Sequence, residues 1–373
     1  LMFVNFHRGS CGRLGFSLQA EYSMGLLPYL HRLMNGGALS RAEARQAMSA
    51  ILSGSASTAQ IAAFLAAIRV KQESADEVLG FAEAMRDNAI HVDHGLGGRA
   101  VLDTCGTGGD DLGTINVSTL AAVVIAACGV PVAKHGNRSI SSKCGSADVL
   151  EALGVKILTD AELIAASIRE VGIGFLFAPA LHPAMKYAME ARKELGIRTV
   201  FNVLGPLVNP ARANRQLVGA PSLKGAEIMS EVLSRLGLEH GLVVHGADGL
   251  DEISLSGPTH VFQVTPGQVS RHTLTPEDFG LQRAPISALK GGDVARNAAI
   301  ARELLEGARG PMRDFVVLNA AAGLRIAGAV DSWAEGRELA ESALESGAAR
   351  QLVERWSLWT QRAALKAASP NGA

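Results

Sequence analysis

The chain carries almost no net charge, few aromatic residues, few cysteines and no long apolar run, and each shortage removes a class of function. Lys+Arg 35 against Asp+Glu 36 leaves a formal charge of -1 over 373 residues, so no global field draws it to nucleic acid or to an anionic membrane. Aromatic residues, at 5%, are too sparse for a surface that stacks successive bases. Cys11, Cys105, Cys128 and Cys144 form no CxxC pair and are too few to staple a chain of this length, a pattern that suits reduced thiols in the cytoplasm. The strongest apolar run, Leu120–Pro131, falls well short of the roughly 20 residues that cross a bilayer as a helix.

What is present is core-forming material. Hydrophobic residues make up 48% and charged residues 19%, enough for one large domain with a smaller one, or for two ordinary domains. Residues 1–22 mix His7, Arg8, Cys11 and Arg13 with several glycines, and are expected to be a poorly ordered extension rather than a signal peptide. Residues 23–94 show three helical segments. Ser40 to Glu43 forms a capping box before Ala44, Ala47, Met48 and Ile51. Thr58 can cap a second helix carrying Ile61, Phe64, Leu65 and Ile68, and Ser74 to Glu77 opens a third with Val78, Phe81, Ala82 and Met85. A small all-helical domain is expected there.

The pattern changes at Gly95 to Gly98. Short apolar strands at Ala100–Leu102, Val130–Ala133, Ile173–Phe177, Thr199–Val203 and Gly241–Val244 alternate with longer helical stretches. That alternation predicts a larger α/β domain over 95–365, with a mainly parallel central sheet flanked by helices. Val261–Val264 and Val269–Thr273 flank a Pro266-Gly267 turn and read as an added hairpin. Helical patterns over Val294–Leu305 and Trp333–Thr360 close the chain.

Four segments can carry chemistry. In the first, Gly106, Gly109, Asp110, Thr114, Asn116, Val117, Ser118 and Thr119 follow a strand and precede an apolar helix. Its glycines leave backbone N–H groups open to an anion at the positive end of that helix, and Ser118 and Thr119 add hydroxyls. Alone it does not separate an anion cradle from a tight strand–helix turn. The second, Lys134, His135, Gly136, Asn137, Arg138, Ser139, Ile140, Ser141, Ser142 and Ser146, gathers cations and hydroxyls at the carboxyl end of the next strand, where parallel sheets bind ligands. Asp148 after it could be a plain helix N-cap. The third is Asp251-Glu252, adjacent carboxylates that can both reach a hard cation from a loop but would face apart on a strand. In the fourth, Pro183 is placed to start a helix on which Arg192 could clamp a carboxylate, though a lone helical arginine is more often a solvated or ion-paired surface residue.

Together these segments resemble the anthranilate phosphoribosyltransferase family. The resemblance rests on GTGGD, NVST, KHGNRSISS, GSAD, FAPALHPAMK, GIRTVFNVLGPLVNPA, GLDEIS and the GGD at Gly291–Asp293, in order across residues 24–360. It implies an N-terminal helical domain beside an α/β domain, a homodimer through the helical part, and a return of the chain to that part somewhere in 180–208. It implies that Gly106, Gly109, Asp110, Thr114, Asn116–Thr119, Lys134–Ser142 and Ser146 hold phosphoribosyl pyrophosphate. By the same resemblance Ser118, Asp251 and Glu252 bind Mg2+, Gly106, Asn137 and Arg192 contact anthranilate, and His135, His182 and Pro206 line its route. Asp111, where glycine is more usual, and Cys144, in place of a small residue, depart from the pattern. The implied reaction transfers the 5-phosphoribosyl group to the anthranilate amine in tryptophan biosynthesis, with no nucleic acid or membrane partner. The amine is already neutral at pH 7, so no residue is assigned as acid or base. The alternatives are a pyrimidine nucleoside phosphorylase-like enzyme of the same architecture and a non-catalytic nucleic-acid-binding relative.

Overall fold

Helix caps organise the first part of the chain. The structure, a computed structural model, describes residues 25–108, 112–139 and 143–368; the expected extension at 1–22 lies outside them. Four helices lead: α1 (Leu27–Met34), α2 (Arg41–Leu52), α3 (Thr58–Lys71) and α4 (Ala75–Asp87). The capping boxes at Ser40 and Ser74 form as expected, but Ser57, not Thr58, caps α3, with Gln60 as its reciprocal partner. The helix missing from the sequence reading is α1, which has no side-chain cap and is signalled only by a proline in its first turn. α2 and α4 pack closely because Gly80 has no side chain: a Cβ there would stand 2.2 Å from the Arg41 carbonyl oxygen.

The remainder alternates strand and helix: β1 (Leu102–Gly106), α5 (Val117–Ala127), β2 (Val132–Gly136), α6 (Ser146–Ala152), α7 (Ala161–Val171), β3 (Ile173–Phe177), α8 (Ala178–Leu181), α9 (Lys186–Leu195) and α10 (Phe201–Leu204). Then come β4 (Arg215–Gly219), α11 (Leu223–Arg235), β5 (His240–Gly246), β6 (Thr259–Thr265) and β7 (Gln268–Leu274). The chain ends with α12 (Val294–Leu305), α13 (Pro311–Ile326), α14 (Trp333–Glu345) and α15 (Ala348–Ala368).

The sheet runs β3-β2-β1-β4-β5-β6-β7, parallel through β5 and antiparallel at β6 and β7. The expected mainly parallel sheet with an added hairpin is therefore what forms, with three corrections of detail. Thr199–Val203 is not a strand. Asn202 Oδ1 accepts from the Thr199 N–H at 3.0 Å, and α10 follows, so a local side-chain bond overrides the β-branched composition. The strand that enters the sheet instead is β4, whose Gln216 hides its buried character in the sequence; Gln216 Nε2 donates inside to the Pro206 carbonyl at 2.9 Å, while its Oε1 is buried without a partner among the described residues. The stretch read as Trp333–Thr360 is two helices, broken at Ser346 and at Gly347, whose φ is 75°.

Alternation along the strands sorts the core into layers. Leu102, Val132, Leu217, Leu242 and Val244 face α5, α13 and α15, while Cys105, Val218 and Val243 face α11 and the N-terminal helices. α9 and α10 pack into that second layer through Ala188, Ala191, Phe201 and Leu204, returning the chain to the helical side.

One departure from regular pairing shapes the site. β1 pairs with β4 from Leu102↔Arg215 to Gly106↔Gly219, but with β2 only at Leu102↔Val132. Beyond that pair, side chains take over the main-chain groups a ladder would use. Asp103 Oδ1 accepts from the His135 N–H at 3.0 Å, and Asn209 Nδ2 donates to the Ala133 carbonyl at 2.9 Å and to Asp103 Oδ2 at 2.8 Å. Lys134 Nζ, from the α5 side, donates to the Thr104 carbonyl. The two strands that carry the proposed ligand loops part company just where those loops begin.

Candidate active site

β1 and β2 end at glycines, and each glycine is required by a neighbour. A Cβ on Gly106 would lie 2.9 Å from Asp251 Oδ2, and one on Gly136 would lie 2.7 Å from the Phe175 ring. Gly106, Lys134, His135 and Gly136 are thus strand residues at the carboxyl edge of the sheet rather than members of free loops.

The first loop and the acidic loop are joined directly. Asp251 Oδ2 accepts from the Gly108 N–H at 2.8 Å and from Thr107 Oγ1 at 3.2 Å. Asp251 and Glu252 are both buried, in the connection between β5 and β6, where Gly249 takes a φ of 94°. Gly219 at the end of β4 lets this connection approach: a Cβ there would fall 1.5 Å from the Asp251 carbonyl oxygen. The sequence pointed to no role for Thr107 or Gly219, and it counted Gly108 among glycines with N–H groups open to an anion, whereas that N–H is taken by Asp251. The glycine run and the strand-end glycine were the available signals.

Lys134 is 1% exposed, and its Nζ also reaches Ser118 Oγ at 3.5 Å. Burial pushes its amine down from the ordinary lysine value, and the negative charges of Asp103 and Glu252 oppose that shift. Burial likewise pushes the Asp103 carboxyl up, opposed by Lys134, Asn209 and the His135 N–H. Lys134 therefore stands between the strut carboxylate, the acidic loop and the hydroxyl at the start of α5.

The rest of the two loops divides by role. Thr114 bridges to Lys290, and Asn116 Nδ2 donates to the Cys144 carbonyl at 3.1 Å, tying the first loop to the second. Val117 is a core residue whose N–H donates to the Ile115 carbonyl at 2.7 Å. Thr119 is buried with no hydrogen-bond partner for its hydroxyl among the described residues. Asn137 Oδ1 accepts from the Arg138 N–H at 2.7 Å, and its carbonyl from the Ala147 N–H at 3.2 Å. Arg138 pairs with Asp148 at 3.1 Å and Glu151 at 2.6 Å, so its charge is already matched within the protein. Asp148 is the third residue of α6 rather than its N-cap, and accepts from the N–H groups of Gly145 at 2.9 Å and Ser139 at 3.2 Å. Ser146 begins α6 beside Gly136. Gly109, Asp110, Ile140, Ser141 and Ser142 lie outside the described residues.

The proposed aromatic-amine side gathers three residues at once. The rings of His135 and His182 stand 5.3 Å apart, and His135 Nδ1 lies 3.1 Å from the carbonyl of Gly205, the residue before Pro206. Both Nε2 atoms are buried without a partner among the described residues. Arg192, on α9, lies 5.0 Å from the centre of the Phe201 ring and has no carboxylate partner among the described residues; burial pushes its pKa down. Buried oxygen donors at Asp251 and Glu252, with a hydroxyl at Ser118, are a hard donor set that fits magnesium.

Known proteins share this fold. Residues 98–350 match the α/β domain of a glycosyl transferase family, and 27–89 its helical bundle domain. An anthranilate phosphoribosyltransferase of Solibacter usitatus is 57% identical over 331 residues, covering 89% of this chain and 97% of that protein. The chain belongs to the anthranilate phosphoribosyltransferase family. A crystal structure of the Thermus thermophilus enzyme superposes with a TM-score of 0.84 at 46% identity, covering 89% of this chain and 99% of that one. The Saccharomyces cerevisiae enzyme, solved in complex with PRPP and Mg, does so with 0.81 at 28% identity, covering 90% and 98%. No helix among the described residues is long and apolar enough to cross a membrane.

The histidine pair gives a pH signature. Burial pushes His135 down to about 4 and, with the neighbouring His135 charge, His182 down to about 3. Both pKa values lie below the unfolded value of about 6.5, so the unfolded chain binds more protons in acid. The stability from keeping these rings neutral is complete above about pH 6.5 and is lost as pH falls through about 4 for His135 and about 3 for His182, at up to about 1.4 kcal/mol per pH unit for each ring. Urea midpoints should fall across that window, and less steeply in His182→Gln. An unchanged slope in the variant counts against burial of a neutral His182.

Proposed function

We propose that the protein transfers the 5-phosphoribosyl group of phosphoribosyl pyrophosphate to the amine of anthranilate, releasing N-(5-phosphoribosyl)anthranilate and pyrophosphate in tryptophan biosynthesis. The observation that carries this reading is the junction of Asp251 with Gly108 and Thr107. It sets the acidic loop against the glycine loop, beside the cation and hydroxyl at Lys134 and Ser118. An anionic ligand that brings its own divalent cation suits that junction. The yeast relative, solved with PRPP and Mg, supports the same assignment.

In this reading Gly106, Gly109, Asp110, Thr114, Asn116–Thr119, Lys134–Ser142 and Ser146 hold phosphoribosyl pyrophosphate, and Ser118, Asp251 and Glu252 hold Mg2+. The bound metal would neutralise charge that develops on the leaving pyrophosphate. Lys134, fixed at two oxygens, would add positive field without reorganising. Arg138 would act through its loop, since two carboxylates already match its charge. Gly106, Asn137 and Arg192 would contact anthranilate, its route lined by His135, His182 and Pro206. The neutral histidines give this route no charge of its own, so the carboxylate of the amine substrate would find its counter-charge at Arg192. Positioning then does most of the work, because the amine needs no deprotonation before attack.

We also infer a homodimer through the helical side, with residues 23–94 and the α9–α10 return as one unit and 95–365 as the other. Leu27, Met34 and Val70 on α1 and α3, with Tyr187 and Met189 on α9, are exposed there, Val70 by 86%. The cytoplasm suits the free thiols at Cys105, Cys128 and Cys144.

Three outcomes test these readings. Loss of anthranilate fluorescence should require both PRPP and magnesium, and should vanish in the double variant Asp251→Asn, Glu252→Gln; full turnover by that variant would remove the metal assignment. Arg192→Ala should mainly raise the KM for anthranilate, because a carboxylate clamp binds ground and transition states alike; a large loss of kcat at unchanged KM would refute the clamp. Light scattering should give twice the chain mass of 38.9 kDa, and a monomer mass would reject the dimer.

A further inference from the structure

The Gly291-Gly292-Asp293 motif closes on the first loop, with Gly291 packed against the Thr114 carbonyl. Gly291 N–H donates to the Gly113 carbonyl at 3.0 Å, and the Ile115 N–H donates to the Leu289 carbonyl at 3.1 Å. Asp293 caps α12 through the Arg296 N–H, which presents Asn297, 5% exposed, to the site. The Asn297 amide is used at both ends: Oδ1 accepts from the Gly292 N–H at 2.8 Å, and Nδ2 donates to Asn116 Oδ1 at 2.9 Å. Asn116 in turn donates to the Cys144 carbonyl at 3.1 Å. Gly291 must lack a side chain for this to occur, since a Cβ would stand 2.4 Å from Asn297 Oδ1.

We infer that Asn297 is a positioning residue for the pyrophosphate-sugar substrate: it orients Asn116 and, through it, holds the two ligand loops at one spacing. The inference rests on the assignment of Asn116 and its neighbours to phosphoribosyl pyrophosphate. Asn116 leaves its own helix uncapped, with no side-chain bond to the first turn of α5, because both ends of its amide are committed to Asn297 and Cys144. The amide has a polarity that one substitution can separate. A carboxylate at 297 can still accept from Gly292 but cannot donate to Asn116.

Asn297→Ala and Asn297→Asp should therefore behave alike. Each should raise the KM for phosphoribosyl pyrophosphate by about tenfold, the effect of one lost hydrogen bond, with kcat and the anthranilate KM changed far less. Hydrogen exchange without any substrate should quicken in both variants at 112–119 and also at 143–148. Gly291→Ala, which displaces the same side chain from the other direction, should reproduce the pattern if either variant folds poorly. A wild-type KM in Asn297→Asp would overturn the inference, reducing Asn297 to a support for the Gly292 turn. Unchanged exchange at 143–148 would overturn it too, as would faster exchange with an unchanged KM. If the parent chain itself shows no use of phosphoribosyl pyrophosphate, the functional reading fails, while the exchange result still decides the coupling.

Discussion

Everything at the carboxyl edge of this sheet depends on the gap between β1 and β2. A regular ladder would bring the two ligand loops together as neighbours in one flat row. Instead Asp103, Asn209 and Lys134 fill the space and satisfy the main-chain groups that the ladder leaves behind. A buried carboxylate and a buried ammonium are costly alone, and removing one member of such a set typically destabilises by about 3–5 kcal/mol. The arrangement holds because hydrogen bonds and opposite charge compensate both ions where no water is needed.

That strut also explains the chemistry of its surroundings. His135, whose backbone N–H donates to Asp103, presents its ring to His182 on the opposite face from Lys134. One strand thus carries a cation on one face and a neutral aromatic ring on the other, by simple alternation. Gly106 and Gly136 let Asp251 and the Phe175 ring close in on that splayed edge.

Much of this was legible in the sequence, for reasons that differ by element. Capping boxes at Ser40 and Ser74 are local chemistry and could be read directly. So could the Pro266-Gly267 hairpin and the Asp251-Glu252 loop, where neighbouring residues set the geometry. The central strand β4 was not legible, because its polar Gln216 finds its partner at Pro206, ten residues earlier and outside the sheet. Thr199–Val203 misled in the opposite sense, its β-branched residues bent into helix by Asn202. The grouping of ligand loops followed from motifs, but Asp103, Asn209 and Asn297 gained roles only when distant partners were seen. Arg138, one of three cations read in its loop, turns out to be matched by Asp148 and Glu151.

The bond between Gly108 and Asp251 joins positions 143 residues apart in the chain, and that separation has a consequence for biogenesis. β1 and β2 leave the ribosome long before β4, the strand that must slide in beside β1 and support the acidic loop. Until it arrives β1 has an open edge, and an open edge is a template for mispairing. Contacts so far apart in sequence also close slowly. The N-terminal helices, built from local contacts and ready-made caps, can form at once and shelter one face of the waiting strands. Because the helical part rests on local contacts and the carboxyl edge on contacts between distant segments, the edge is expected to be completed after the helices.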